Sequence, residues 1–84
     1  MYYVYILMSE IDHNFYVGYS RDLKSRLLQH EKGLVPSTKK RRPLKLVYYE
    51  ASLNQQDAIH REKYLKTSWG KRYIKSRIKS YLTG

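Results

Sequence analysis

Hydrophobic positions in the first twenty residues form two short runs separated by a polar turn. Residues 2–8 (YYVYILM) are apolar or aromatic on both faces of an extended chain, which is typical of a covered central strand. Residues 9–14 are polar and residues 15–20 (FYVGYS) are again β-branched and aromatic, so the pattern predicts a hairpin. The pattern leaves the register open, and Tyr5 and Tyr16 share a face only if paired residue numbers sum to an odd value.

A helix is predicted after the hairpin. Ser20 is a suitable N-cap, and Asp22 is favourable in the first turn because its charge complements the helix dipole. Leu23 and Leu27 form the apolar stripe of this helix, and Gly33 is its stop signal. The helix is therefore expected to pack one narrow side against the sheet.

Arg26 and His30 lie four residues apart on this helix and so share one of its faces. Both positions border the apolar stripe, so we expect each side chain to be partly sheltered and to point over the sheet. His30 taken alone is more typical of a satisfied surface histidine. Together with Tyr5 and Tyr16, the pair supplies residue types that can hold a phosphate and deprotonate a water.

Gly18 lies inside the second predicted strand, where glycine is unfavourable unless the backbone requires it. A β-bulge at this point is one explanation. The other is room for a backbone or a ligand beside Tyr16. The pattern does not distinguish between them.

Residues 34–43 are predicted to form an irregular loop that contains four consecutive cations, Lys39, Lys40, Arg41 and Arg42. Such a run is typical of a solvated loop, a localisation signal or a phosphate contact. Its position between structured elements of a basic domain favours phosphate contact. Residues 44–50 (LKLVYYE) are predicted to form a third strand, which we expect to be antiparallel.

A second helix is predicted to begin at the N-cap Asn54, and at about 100° per residue its narrow apolar face consists of Ala58, Leu65 and Trp69. Glu62 falls inside that face. A carboxylate directed towards a core is costly unless it is paired or binds a metal. An ion pair with an arginine such as Arg26 would satisfy it, and so would a metal ion, which we favour.

The helix is predicted to break at Trp69-Gly70 and to be followed by a final amphipathic helix over residues 71–82. The apolar positions expected to face inward are Ile74, Ile78, Tyr81 and Leu82, and those expected to face outward are Lys71, Lys75 and Lys79. The chain contains no internal repeat. We therefore predict a single domain, residues 1–84.

The net charge of the chain indicates which classes of binding partner are favoured. Seventeen lysines and arginines against seven acidic residues give a formal net charge of +10 on 84 residues, which favours nucleic acid first and an anionic membrane surface second. There are no cysteines, which excludes disulfides and thiolate metal sites. No apolar run approaches the roughly 20 residues that span a membrane, and no secretion signal is evident, so a cytoplasmic protein is expected.

These residues suit phosphodiester hydrolysis. A divalent cation on Glu62 would polarise the phosphate and assist the leaving group, and one carboxylate suits Mg²⁺, which keeps most of its waters. Arg26 would hold the phosphate and stabilise developing charge. Tyr5 or Tyr16 would accept a proton if a neighbouring cation lowered its pKa, and His30 would share or orient that role.

The ordered set of residues resembles the GIY-YIG nuclease superfamily, in particular its small stand-alone bacterial members and the catalytic domain of the excision-repair nuclease subunit. The two signatures correspond to Tyr3-Val4-Tyr5 and Tyr16-Val17-Gly18, and Arg26 follows at the family's spacing. Further likeness extends to about residue 75 and includes Thr38, Arg42-Pro43, residues 46–50, Arg61-Glu62 and Leu65-Lys66.

The resemblance implies an α+β fold, a three-stranded antiparallel sheet flanked by three helices, and metal-dependent cleavage of DNA. Carried over by position, Tyr5 and Tyr16 would handle the attacking water and Arg26 would hold the phosphate. His30 would be an auxiliary base or orienting group, and Glu62 the ligand of Mg²⁺ or Mn²⁺. DNA contacts are expected at Thr38, Lys39, Lys40, Arg41 and Arg42.

The sequence thus predicts a divalent-metal-dependent DNA endonuclease, acting on branched or damaged structures. The alternative is a nucleic-acid-binding module of the same fold that cleaves weakly or not at all. Because no separate DNA-binding domain is appended, specificity is expected to come from these 84 residues or from a protein partner.

Overall fold

The computed structural model describes all residues of the chain, 1–84. A three-stranded antiparallel sheet in the order β2-β1-β3 is flanked by helices, which confirms the expected α+β class. In chain order the elements are β1 (Tyr2–Ser9), β2 (Phe15–Ser20), α1 (Leu23–Glu31), a 3₁₀ helix (Lys39–Arg41), β3 (Leu44–Ser52), α2 (Gln55–Leu65), α3 (Ser68–Arg77) and α4 (Lys79–Thr83).

The hairpin register meets the condition set by the sequence. Tyr5 pairs with Gly18, so paired residue numbers sum to 23, an odd value, and Tyr16 lies two residues from Gly18 on the same face as Tyr5. The β1–β2 ladder is continuous. The bulge in the sheet lies elsewhere, between Ile6 and Leu7 where β1 pairs with β3.

The main hydrophobic core lies on the other face of the sheet. Its buried members are Val4, Ile6, Val17, Ala58, Leu65 and Ile74. Because alternate strand residues point to opposite faces, the odd-numbered side chains of β1 remain available on the α1 side. The central strand β1 therefore supplies the core with one face and the candidate site with the other.

One predicted helix start needs correction, and two other predicted boundary signals are confirmed. The cap of α1 is Asp22, whose carboxylate accepts a hydrogen bond from the Ser25 amide, while the Ser20 hydroxyl donates to the Asp22 carbonyl. The stop signal is confirmed, because Gly33 follows the helix with φ of 75°. The Asn54 cap of α2 is also confirmed, since its side chain accepts from two backbone amides of the first turn.

The prediction that Trp69-Gly70 breaks a helix is wrong, since both residues lie in the first turn of α3, which begins after the N-cap Thr67. Trp69 is 67% exposed and does not belong to the apolar face. The expected final helix is split at Ile78 into α3 and α4, and Tyr81 and Leu82 are exposed where they were predicted to face inward. The end of α2 at Leu65 interrupts the helical period that placed Trp69, and the break at Ile78 interrupts the period that placed Tyr81 and Leu82.

None of the helices combines the length and the apolar character needed to cross a lipid bilayer.

Candidate active site

Three aromatic side chains meet above the α1 face of the sheet. The ring centroids of Tyr5 and Tyr16 are 6.5 Å apart, and the His30 ring lies edge-on to both, at 5.6 Å from Tyr5 and 5.3 Å from Tyr16. His30 and Tyr5 are almost completely buried and Tyr16 is half-buried. The structure therefore brings together three of the five residues predicted for the site.

Gly18 explains how Tyr5 fits between the strand and the helix. A Cβ atom at position 18 would lie 2.3 Å from both the Cζ and the hydroxyl oxygen of Tyr5. The space left by the missing side chain is thus occupied by the Tyr5 ring. Of the two explanations offered for Gly18, the bulge is wrong, and the close approach involves a side chain of β1 rather than a backbone or ligand.

A chain of hydrogen bonds links Tyr5 to the segment that follows α1. The Tyr5 hydroxyl is 2.7 Å from His30 Nε2, and His30 Nδ1 is 2.7 Å from Thr38 Oγ1. Since the Thr38 hydroxyl donates to the Val35 carbonyl at 3.4 Å, its oxygen is free to accept from Nδ1–H. This assigns the Nδ1–H tautomer to neutral His30, so that Nε2 accepts the Tyr5 proton.

Thr38 is accordingly a correction to the sequence-based assignment. It was expected to contact nucleic acid, but its side chain is fully buried and binds His30. Position alone could not distinguish the two roles, because the contact with His30 depends on the turn between them. That turn is formed where Gly33 adopts a positive φ and the chain folds back over α1.

Burial controls the titration of the two linked groups. Burial raises the pKa of Tyr5, and the charges of Tyr16 and Glu62 add to the rise, while the nearby Arg26 guanidinium opposes it. Burial also lowers the pKa of His30, and the positive charge of Arg26 lowers it further. Both groups are therefore held in their neutral forms at pH 7, which suits a hydrogen bond that can later exchange a proton.

Arg26 lies at the open side of this cluster. Its side chain is half-buried, and Nη1 donates to the Gln29 amide oxygen at 2.8 Å. A cleft of about 380 Å³ adjoins it, lined on α1 and the preceding turn by residues that include Arg21, Arg26 and Gln29. Arg26 has no carboxylate partner, so its guanidinium retains donors for an incoming anion.

Glu62 lies on α2, the helix that packs against the core face of the sheet. Its negative charge acts on the pKa of Tyr5, and its side chain is 21% exposed. The carboxylate pairs with Lys66 at 3.2 Å, one helical turn on, and not with Arg26 as the ion-pair alternative supposed. No group of three acidic or histidine side chains surrounds it. A single carboxylate fits Mg²⁺, which takes its other ligands from water and substrate phosphate.

Two of the four cations at positions 39–42 make hydrogen bonds that hold the loop in place. Arg42 donates through Nε to the Lys39 carbonyl at 3.1 Å and through Nη1 to the Glu31 carbonyl at 3.1 Å, at the end of α1. Arg41 Nη2 donates to the Phe15 carbonyl at 3.3 Å. Lys39 and Lys40 are exposed and make no ion pair. The two lysines are thus free for a partner, while the two arginines also fasten the loop.

Ser37 is a neighbour of the site that the sequence did not identify. Its hydroxyl lies 3.5 Å from the Tyr16 hydroxyl, and it precedes Thr38, so one short segment contacts both halves of the cluster. Serine in a loop carries no periodic signal, and only the resemblance at Thr38 and the cationic run 39–42 indicated this region. The Tyr19 hydroxyl, by contrast, is occupied by a bond from Gln55 Nε2 at 3.1 Å.

Comparison with known proteins gives one family. The family model described as the GIY-YIG catalytic domain matches residues 1–74 of this chain. This range includes both strands of the hairpin, the α1 segment and Glu62.

Several similar proteins carry the designation UPF0213. One from Staphylococcus saprophyticus is 38% identical over 66 residues, covering 77% of this chain and 79% of its own. One from Clostridium perfringens is 40% identical over 67 residues, covering 79% of this chain and 71% of its own. The solution NMR structure of a UPF0213 protein from Bacillus halodurans is 31% identical, with a TM-score of 0.57, covering 90% of this chain and 84% of that one.

Proposed function

Because this chain belongs to the GIY-YIG family and is similar to its small UPF0213 members, we propose that it is a divalent-metal-dependent endonuclease that hydrolyses DNA phosphodiester bonds. GIY-YIG domains are generally nucleases, and the net charge of +10 favours a polyanionic substrate. Branched or damaged DNA is the proposed substrate structure.

The observation that carries this proposal is the buried chain from Tyr5 through His30 to Thr38. A tyrosine hydroxyl bonded to a neutral imidazole has a place to send its proton, and the imidazole is held in the accepting tautomer by Thr38. Tyr5 is therefore proposed to take a proton from the attacking water as its own proton passes to His30. Tyr16, on the same face, would help to orient that water.

Arg26 is proposed to bind the scissile phosphate and to stabilise its developing charge. Its guanidinium now lowers the pKa of His30. A phosphate bound to Arg26 would offset that positive charge and make His30 a better proton acceptor. Substrate binding and activation of the base would then be coupled through one side chain.

Glu62 is proposed to hold Mg²⁺ or Mn²⁺, and the ion would supply charge stabilisation for the phosphate and the leaving oxygen. Lys66 would have to release the carboxylate when the metal binds, since the two now form an ion pair at 3.2 Å. The chain's own contribution is to keep Glu62 half-buried between the core positions Ala58 and Leu65.

A second candidate is a nucleic-acid-binding module of the same fold without efficient cleavage. The observation that favours it is the Glu62–Lys66 ion pair, because a carboxylate that already has a cationic partner binds a metal less readily. The basic loop would serve binding in either case.

The test is cleavage of a panel of linear, flap and junction DNA with Mg²⁺, with Mn²⁺ and with chelator. Glu62→Gln should abolish metal-dependent nicking, by roughly a hundredfold or more, and leave DNA affinity within about twofold. Glu10→Gln, an exposed carboxylate on the far turn, makes the same change of charge and should cleave at the wild-type rate. If the wild-type protein binds but cleaves no member of the panel with either metal, the binding module replaces the enzyme.

A further inference from the structure

A separate cleft, lined by cations, lies at the turn end of the β1–β2 hairpin. It has a volume of about 460 Å³ and is lined by His13, Asn14, Phe15, Arg41, Lys71 and Lys75. Three separate elements meet there: the β1–β2 turn, the 3₁₀ helix and α3. None of the five residues of the candidate active site contributes to it.

The charge of this cleft is one-sided. Arg41, Lys71 and Lys75 supply three positive charges, and no acidic residue lines it. Lys71 and Lys75 are four residues apart on α3, where like charges share a face and repel each other. Neither lysine has an ion-pair partner. An anion bound between them would relieve that repulsion.

Arg41 is held in place before any ligand arrives. Its guanidinium donates to the Phe15 carbonyl at 3.3 Å, and its own carbonyl accepts from the Ser9 hydroxyl at 2.7 Å. Ser9 is fully buried, so the backbone at Arg41 is fixed by the sheet itself. Fixing a long cationic side chain in advance lowers the entropy lost on binding an anion.

The carboxylate of Asp12 reduces the attraction of the cleft for an anion. Asp12 lies in the hairpin turn, and its charge interacts with Arg41. Its Oδ1 accepts from the Asn14 amide at 2.9 Å, so the carboxylate is used to hold the turn. The cleft therefore carries a net positive charge even after Asp12 is counted.

We propose that this cleft is a phosphate-binding site, separate from the catalytic one, that takes a phosphate of the nucleic-acid backbone. Phe15 in the cleft and Tyr16 in the candidate active site are neighbours on β2 that point to opposite faces. Because β2 is an edge strand, a DNA strand that crosses this edge contacts both sites. The assignment of this phosphate to DNA rests on the proposed function, whereas the ability of the cleft to bind an anion does not.

The experiment compares two double variants with the same net charge. Lys71→Gln/Lys75→Gln removes two cations of the cleft, and Lys63→Gln/Lys79→Gln removes two exposed lysines elsewhere on the helices. Each protein is titrated with inorganic phosphate and pyrophosphate, followed by the NMR shifts of the Asn14 and Arg41 amides. DNA binding is then measured from 50 to 300 mM salt.

We expect the cleft variant to lose the phosphate-dependent shifts and to bind DNA about tenfold more weakly. The slope of log K against log salt should fall by about 0.9, the value for one lost phosphate contact. The control should keep the shifts. Asp12→Asn retains the Asn14 contact and should strengthen phosphate binding. Circular dichroism of each variant checks folding.

Equal weakening in both double variants would mean diffuse charge attraction and would overturn the site. Retained phosphate shifts in the cleft variant would overturn it as well. If the shifts depend on the cleft but DNA binding does not, the site takes a free phosphate compound and the assignment to DNA is overturned. None of these outcomes depends on cleavage, so failure of the nuclease proposal is recognised separately.

Discussion

Each face of the sheet carries a hydrogen-bonded network built around a tyrosine, and the two networks treat the tyrosine proton in opposite ways. On the α1 face Tyr5 bonds to a neutral histidine. On the core face the Tyr48 hydroxyl donates to Glu50 at 2.9 Å, and Arg61 holds the same carboxylate through two bonds, at 2.6 Å and 3.3 Å.

Tyr48, the tyrosine of the core-face network, does not release its proton near neutral pH. Burial and the Glu50 charge raise the pKa of Tyr48 to about 12, and the Glu50 bond raises the pKa of Arg61. Arg61 also stacks over the rings of Tyr64 and Tyr73, at 5.4 Å and 4.5 Å from their centroids. These contacts fasten α2 and α3 to β3.

The hydrogen-bond partner distinguishes Tyr5, the tyrosine proposed to be catalytic, from the structural Tyr48. The pKa is raised in both Tyr5 and Tyr48, so the shift alone identifies neither. The partner decides: a neutral imidazole can accept a proton, while a carboxylate already paired with arginine holds the tyrosine proton in place.

Replacing each tyrosine with phenylalanine should give the largest contrast. Tyr5→Phe should reduce the cleavage rate by roughly 10²- to 10⁴-fold, because the proposed base is lost. Tyr48→Phe should leave the rate unchanged and lower the free energy of unfolding by about 1 kcal/mol. Single-turnover cleavage and urea unfolding measure the two effects. Similar rate losses in both variants would refute the division between the networks.

Thr38→Val tests the positioning of His30 at nearly constant volume. The buried Nδ1–H would lose its acceptor, at a cost of about 1–3 kcal/mol of stability, and the preference for the Nδ1–H tautomer would weaken. The ¹⁵N shifts of the His30 ring report the tautomer directly, and cleavage should fall with it. Thr38→Ser keeps the hydroxyl and should restore both readouts. A wild-type tautomer in Thr38→Val would remove Thr38 from this role.

The smallest expected effect is the pH dependence of stability. His30 has a lowered pKa in the folded state, so the unfolded chain binds the proton more readily and stability falls as pH drops below about 6.5, by at most about 1.4 kcal/mol per pH unit. Tyr48 has a raised pKa of about 12, so its contribution is lost as pH rises above about 10.

Urea unfolding of His30→Gln and Tyr48→Phe across this range separates the two ends. His30→Gln should reduce the pH dependence of the unfolding free energy on the acid side only. Tyr48→Phe should reduce part of that dependence on the alkaline side, where Tyr5 also contributes. An acid slope that persists without His30 would mean that a different group titrates there.

The elements predicted best from sequence are those whose signals are local. The hairpin strands, the Asn54 cap and the Gly33 stop depend on residues within a few positions of one another. The sequence did not predict the break at Thr67. A single threonine cap is a weaker sequence signal than the helical spacing of Leu65 and Trp69, which suggested one continuous helix.

The candidate site likewise contains features that local sequence signals predict and features that they do not. Tyr5 and Tyr16 lie close together because paired residue numbers in the hairpin sum to an odd value, a condition that the sequence states. The sequence also marks Gly18 as unusual in a strand, although it does not identify Tyr5 as the neighbour that requires it. The Thr38–His30 bond and the Glu62–Lys66 pair depend on how a loop and a helix surface are arranged in space. Residue type and spacing do not determine such contacts, so the sequence could offer only alternatives for them.

The order of strands in the sheet has a consequence for how the protein reaches its finished form. Tyr5, Tyr16, His30 and Thr38 come from the first half of the chain, and short loops join their elements, which favours early and rapid assembly. Glu62 arrives only when β3 adds to the free edge of β1 and brings α2 across the sheet. In terms of the proposed mechanism, a partly folded chain would hold the Tyr5–His30–Thr38 hydrogen bonds without Glu62, and we expect it not to cleave DNA until the last strand docks.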